Sequence, residues 1–130
     1  MILKFRAWDK TCKKMIYSGF AVRADGNIEG IDYTNTYAAK NFIVMQSTGL
    51  KDMNGIEIFE GDIVNALIGG YPVMAEIVFE DCRFMKPIAV PEGSGISTST
   101  YYGFSCDEKN HAMMVVIGNR YENPELLEEG

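Results

Sequence analysis

The stretch Ile58-Phe59-Glu60-Gly61-Asp62-Ile63-Val64-Asn65-Ala66-Leu67-Ile68-Gly69-Gly70-Tyr71-Pro72-Val73-Met74-Ala75-Glu76-Ile77-Val78-Phe79 carries the reading of the fold. Glu60-Gly61-Asp62 reads as a sharp bend. The apolar, β-branched run from Ile63 to Ile68 predicts a strand behind it. Gly69-Gly70 turns the chain, because glycine takes the positive φ of tight hairpin turns without a Cβ clash. Val73 to Phe79 predicts the returning strand, with Pro72 at its start, where a missing N–H is tolerated.

Bend, strand, glycine turn and strand in this order open as a small SH3-like barrel does. On the amino-terminal side, Asn41 to Gln46 predicts a further strand and Thr48 to Gly55, with its Asn-Gly pair, a turn. Leu3-Lys4-Phe5-Arg6-Ala7-Trp8 alternates apolar and basic residues, the period of a strand with one solvated face. Asp9 to Lys14 reads as a polar turn. Met15-Ile16-Tyr17 and Phe20-Ala21-Val22 resume strand character, and Asp25-Gly26-Asn27 is a hairpin turn before a short extended segment holding Ile28 and Ile31. Thr34 to Lys40 reads equally as loop or as one helical turn.

On the carboxy-terminal side, residues 80–112 hold Pro87, Pro91, Gly93, Gly95 and Ser97-Thr98-Ser99-Thr100, and read as a long loop with a short strand at Tyr101 to Phe104. Met113 to Ile117 predicts the last strand, ended by Gly118. Asn123-Pro124-Glu125-Leu126-Leu127 has the grammar of a helix start, with Asn as N-cap and Pro at the first helical position. The expected fold is therefore mainly β: an amino-terminal β subdomain over 1–45, which is also the region for oligomerisation, and an SH3-like, partly open β-barrel over 46–130. The barrel carries the loop 80–112 and a short carboxy-terminal helical turn.

Three separated blocks resemble the YopX family of phage and prophage proteins. They are Met1-Ile2-Leu3-Lys4-Phe5-Arg6-Ala7-Trp8-Asp9-Lys10 with Lys14-Met15, Gln46-Ser47-Thr48-Gly49-Leu50-Lys51-Asp52-Met53-Asn54-Gly55 running into Ile58 to Val64, and Val116-Ile117-Gly118-Asn119-Arg120-Tyr121-Glu122-Asn123-Pro124-Glu125-Leu126-Leu127. The resemblance implies a small phage-associated protein without an assigned biochemical role. It transfers no catalytic residue. Gln46, Thr48, Asp62, Asn119, Tyr121, Glu122 and Asn123 read as hydrogen-bonding residues that knit the barrel to its terminal segment.

Length and composition fit one ordinary globular domain: 130 residues, 47% apolar, 23% charged. No apolar run approaches the roughly 20 residues that span a bilayer, so no membrane contact and a cytoplasmic location are expected. Cys12, Cys82 and Cys106 are widely spaced and odd in number, which predicts free, buried thiols rather than a disulfide framework. The net charge of −6 repels a phosphate backbone and disfavours nucleic acid, although Lys4, Arg6, Lys10, Lys13 and Lys14 cluster near the amino terminus.

No catalytic constellation stands out. His111 is the single histidine, which excludes histidine-based zinc triads and two-histidine iron sites. Cys106 with His111 is the one conventional nucleophile and base pair, and Cys82 would have to join them to make a metal site. Glu60 with Asp62, and Glu80 with Asp81, could serve as acid and base, but neighbouring carboxylates at turns more often cap backbone N–H groups. Neither a catalytic residue, a cofactor nor a metal is expected. Tyr101, Tyr102 and Phe104 are the candidate contacts for a protein partner, since aromatic residues in a polar loop give rigid area at low entropic cost. The sequence thus points to a non-enzymatic interaction protein that forms a homo-oligomer and binds a host or phage protein. The alternatives are a nucleic-acid adaptor using the basic amino-terminal strand and a small enzyme using Cys106 and His111 or carboxylates.

Overall fold

Residues 4–24, 28–30, 42–79, 84–106 and 110–128 are described by a computed structural model of the chain. The expected turn at Asp25-Gly26-Asn27, Leu3, Ile31, Thr34 to Lys40, the Glu80-Asp81 pair and Cys82 lie outside these residues. Among the described residues ten strands follow in order: β1 (Phe5–Asp9), β2 (Lys14–Ile16), β3 (Phe20–Val22), β4 (Ile28–Gly30), β5 (Phe42–Lys51), β6 (Glu57–Phe59), β7 (Asp62–Ile68), β8 (Tyr71–Val78), β9 (Phe84–Ala89) and β10 (Met114–Asn119). A 3-10 turn, Pro124–Glu128, comes last.

The strands form two antiparallel sheets, β2-β1-β5-β6 and β10-β7-β8-β9, while β3 and β4 pair as a separate ribbon. The chain is mainly β, one sheet is a curled half-barrel, and among the described residues the helical content near the carboxy terminus is the 3-10 turn. β5 passes through residues 45 and 46 without a break, pairing with β1 as far as Gln46 and with β6 from Ser47 onward.

The core collects residues that β7, β8, β9 and β10 turn inward: Val64, Ala66, Val73, Ala75, Ile77, Met85 and Met114, joined by Ile58 and Ala112. Asn65 and Leu67 point outward from β7, the period-two pattern of a sheet wet on one side. At the start of β7 the pattern breaks. Asp62, Ile63 and Val64 are all buried, since both faces of the strand are covered there.

Tyr101 to Phe104, expected as a short strand, holds an isolated bridge from Tyr102 to Met85 instead. Four further local readings differ from expectation. β5 continues through Gly49 to Lys51, where a turn was expected from Thr48. Gly49 takes φ 78° inside a bulge, with Ser47 opposite Phe59 and Lys51 opposite Glu57, so its positive φ bends a strand instead of ending it. Hydroxyl groups satisfy the backbone across the bulge: Thr48 Oγ1 donates to Ile58 O at 2.8 Å, and Ser47 Oγ accepts from Gly49 N–H at 3.0 Å. The reversal falls at Asp52 to Ile56.

The second difference is β9, inside the segment read as loop. Pro87 argued against a strand but is tolerated because β9 is an edge. Met85 exchanges both outward hydrogen bonds with Tyr102, at 2.7 and 2.8 Å, and Pro87, two residues on, occupies the next outward position with no N–H to offer. Third, β10 runs past Gly118 to Asn119, with a register shift between Val116 and Gly118. Fourth, Asn123 does not cap the turn that follows it. Its Oδ1 accepts from Asn119 N–H at 3.2 Å, folding the terminal segment back onto β10.

That fold-back needs glycine at 118. A Cβ there would lie 2.5 Å from Asn123 Oδ1 and 2.8 Å from its Cγ, against open space at Gly103. Gly118→Ala should lower stability by about 1–3 kcal/mol through this overlap, while Gly103→Ala should stay within about 0.5 kcal/mol of the native chain. Urea unfolding of both variants checks the contrast; equal effects would contradict it.

Candidate functional site: the cleft between the sheets

Arg6 is the first residue whose position departs from its sequence pattern. Lys4 is exposed, as a solvated strand face requires, but Arg6 is only 3% exposed. Its guanidinium donates from Nη2 to Asp62 Oδ1 at 2.9 Å and to Glu60 O at 3.1 Å, and its carbon lies 4.8 Å from the centre of the Phe59 ring. Asp62 is equally buried and accepts Phe59 N–H on Oδ2 at 2.8 Å. Burial pushes the Asp62 carboxyl up from its ordinary value, and the Arg6 charge opposes that rise. The pair fastens β1 to the beginning of β7.

Asp52 makes a second tie. Fully buried, it accepts Asn54 and Ile56 N–H on Oδ1 at 2.8 and 2.9 Å, and Val116 N–H on Oδ2 at 2.9 Å, joining the β5–β6 turn to β10. Asn119 makes a third: its Oδ1 accepts Tyr121 and Glu122 N–H, and its Nδ2 donates to Glu122 Oε1 at 2.7 Å. A fourth is a stack. Tyr121 lies against Trp8 at 5.7 Å between ring centres, with the Arg120 guanidinium 5.7 Å from the Tyr121 ring and 3.0 Å from Glu76 Oε2. Burial raises the Glu76 carboxyl and the Tyr121 phenol alike, and Arg120 acts against both shifts. Asn119, Glu122 and Asn123 hold the terminal segment to β10, as their sequence reading proposed, whereas the Asp62 carboxylate ties β7 to β1 instead.

Beside these ties a cleft of about 1180 Å³ opens between β1, β3, β6, the start of β7 and β10. Phe5, Tyr17, Phe20, Val22, Ile56, Phe59 and Val116 wall it, and Lys4, Glu57, Glu122 and Asn123 supply polar groups. Tyr17 and Ile56 stand 59% and 50% exposed on it. Lys4 pairs with Glu57 at 3.4 Å, and Arg6 with Asp62, so the lining cations are already matched. Among the described residues, the lining holds neither histidine, cysteine nor serine.

The residues singled out from sequence lie elsewhere. Tyr102 and Phe104 pack partly buried against the core, with the Tyr102 hydroxyl accepting Ser97 N–H at 3.3 Å; Tyr101 is the exposed member and tilts against Phe84. Cys106 bridges by its backbone to Ala112, and His111 to Lys51. The thiols of Cys12 and Cys106 are free but exposed, not buried as expected, because both sit in segments outside the core. Among the described residues no three of His, Cys, Asp and Glu group as metal ligands would, and no helix is long and apolar enough to cross a membrane. The walls come from four separate segments, three of them aromatic, so no local motif announced the cleft.

The YopX protein pattern matches residues 4–128, nearly the whole chain. The chain belongs to the YopX family. Its fold resembles the crystal structure of protein EF1440 from Enterococcus faecalis, with 30% sequence identity and a TM-score of 0.59 over 98% of this chain and 99% of the other. No curated protein matches the sequence. All three blocks that suggested YopX lie within or overlap the matched residues, and each contributes to the ties above: Arg6, then Asp52 and Asp62, then Asn119 to Asn123.

Two outcomes follow for this YopX chain. Arg6→Met and Asp62→Asn, made singly, should each cost about 3–5 kcal/mol, because each leaves one charge buried without its partner, whereas the double variant should cost less than either. Denaturant unfolding measures the cycle; additive costs would show that the pair does not couple. For Glu76, a carboxyl raised in the folded state binds its proton there first, so its stabilising contribution is present in acid and is lost as pH rises through the folded value. Stability of the native chain relative to Glu76→Gln should therefore fall as pH rises from the ordinary glutamate value of 4.5 toward neutrality. Calorimetry across that range would refute this by giving a constant difference.

Proposed function

We propose that this YopX-family chain is a non-enzymatic, phage- or prophage-encoded interaction protein that holds a protein partner in the cleft between its sheets. The cleft carries the reading. It offers aromatic and aliphatic walls that a partner can desolvate, with a rim of polar groups to orient it. Its ionisable groups favour binding over chemistry, because Lys4 and Glu57, and Arg6 and Asp62, neutralise one another and leave no unpaired base beside a nucleophile among the described lining residues. Exposed apolar residues at the tip of the β7–β8 hairpin, Leu67 at 54% and Tyr71 at 43%, favour self-association through a separate face.

Tyr17→Glu with Ile56→Glu would place charge on the cleft rim without touching the buried ties. In quantitative pull-downs from host and phage-infected lysate, the partner of the native chain should be lost from this variant by about thirtyfold or more, the weight of an interface hot spot. A variant carrying Tyr101→Ala, Tyr102→Ala and Phe104→Ala should retain it. The reverse pattern would move the binding surface to the aromatic loop, and a partner indifferent to both would overturn the cleft reading. Light scattering on the same samples reads self-association directly.

A further inference from the structure

The first sheet stops short on the side that faces the cleft. β2 reaches Ile16, opposite Ala7, and in a continued antiparallel register Phe5 would meet Ser18, which instead lies in a bend. Hydrogen-bond parity shows where the Phe5 peptide groups point. Ser47 N–H bonds to Lys4 O at 2.8 Å on the β5 side, so Lys4 and Arg6 turn their peptide groups toward β5 and Phe5 turns its own away. Gln46, opposite Phe5, agrees: its N–H goes to Glu60 Oε1 and its O accepts from Glu60 N–H, both on the side away from β1. Among the described residues nothing pairs with the outward N–H and C=O of Phe5, and Phe5 lines the cleft.

Two further observations concern the same slot. Phe20, Ala21 and Val22 are consecutive and all line the cleft, although side chains on a strand alternate, so β3 presents backbone as well as side chains to it. Arg6 also lines the cleft, is nine-tenths buried and more, and its Nε–H has no acceptor among the described residues. The edges of the second sheet are more fully occupied among the described residues. Tyr102 and Pro87 close β9, and on β10 Met114 O accepts Met53 N–H while Val116 N–H is taken by Asp52.

Building on the proposed binding role of the cleft, we infer that its occupant is an extended peptide segment of a protein partner that pairs with β1 at Phe5 and lengthens the first sheet beyond β2. The segment supplies a C=O and an N–H to Phe5, and its alternate side chains meet Tyr17, Phe20 and Phe59. Charge selects its polar positions. The described lining carries two cations against the three carboxylates of Glu57, Asp62 and Glu122, on a chain of net charge −6, so the complementary segment alternates apolar with basic residues.

A blocked hexapeptide of sequence Lys-Val-Lys-Phe-Lys-Val is the probe, titrated into the full chain at low salt and followed by backbone amide shifts. Saturable shifts should centre on Phe5 and on Phe20 to Val22. Two N-methylated versions, blocking either the odd or the even peptide nitrogens, separate strand pairing from mere accommodation: one should bind about tenfold or more weakly and the other as the parent does, since only one set of N–H groups faces β1. The Glu-Val-Glu-Phe-Glu-Val counterpart should also bind more weakly. Equal binding by both N-methylated forms would overturn strand addition while leaving the cleft as a binding site. Absence of any saturable shift at about millimolar probe would overturn the inference as well, and the pull-down with the Tyr17 and Ile56 variants then judges the binding role on its own.

Discussion

Moving a guanidinium and a carboxylate out of water costs roughly several kcal/mol per ion, which mutual attraction repays only when the geometry is good and further hydrogen bonds are made. Arg6 and Asp62 meet that condition through one ion pair, a carbonyl, a backbone N–H and an aromatic face. The result is directional where a hydrophobic contact would not be. β1 and the start of β7 can sit together in few other ways without stranding a charge. The pair lines one side of the cleft, while the bulk of the core gathers among β7, β8, β9 and β10.

Most of the strands are short, and short strands leave peptide groups unmet. Side chains take up the deficit. Asp52 serves three N–H groups, Asn119 two, Asp62 one, and Thr48 reaches the carbonyl of Ile58 across the bulge. Each of these residues is buried, so each bond replaces one that water can no longer provide. That is a physical reason for the blocks that carry the family resemblance to hold buried polar residues.

The hairpin of residues 62–78 was legible because its signals are local: β-branched runs on either side of a glycine pair. The knitting role of Asn119 and Asn123 was legible for a related reason, since short polar side chains beside bends bond nearby backbone. What escaped the sequence was non-local. Pro87 hides β9 because a proline inside a strand makes sense only once that strand is known to be an edge. Arg6 looks solvated because alternation reports a side chain's face but not whether that face is covered. Gly49 looks like a stop because a positive φ serves bulges and turns alike. The cleft, assembled from residues far apart in the chain, left no periodic trace.

Sealing β9 with Tyr102 and Pro87, and β10 with Met53 and Asp52, has a consequence for how the molecule can grow. Polymerisation by strand pairing needs a donor edge and an acceptor edge that stay open after every addition. In the four-stranded sheet β10-β7-β8-β9, part of each edge is already occupied among the described residues, which disfavours propagation of a stack of copies through it. Such blunting of strand edges is a safeguard for a protein whose exposed surface includes several large apolar side chains.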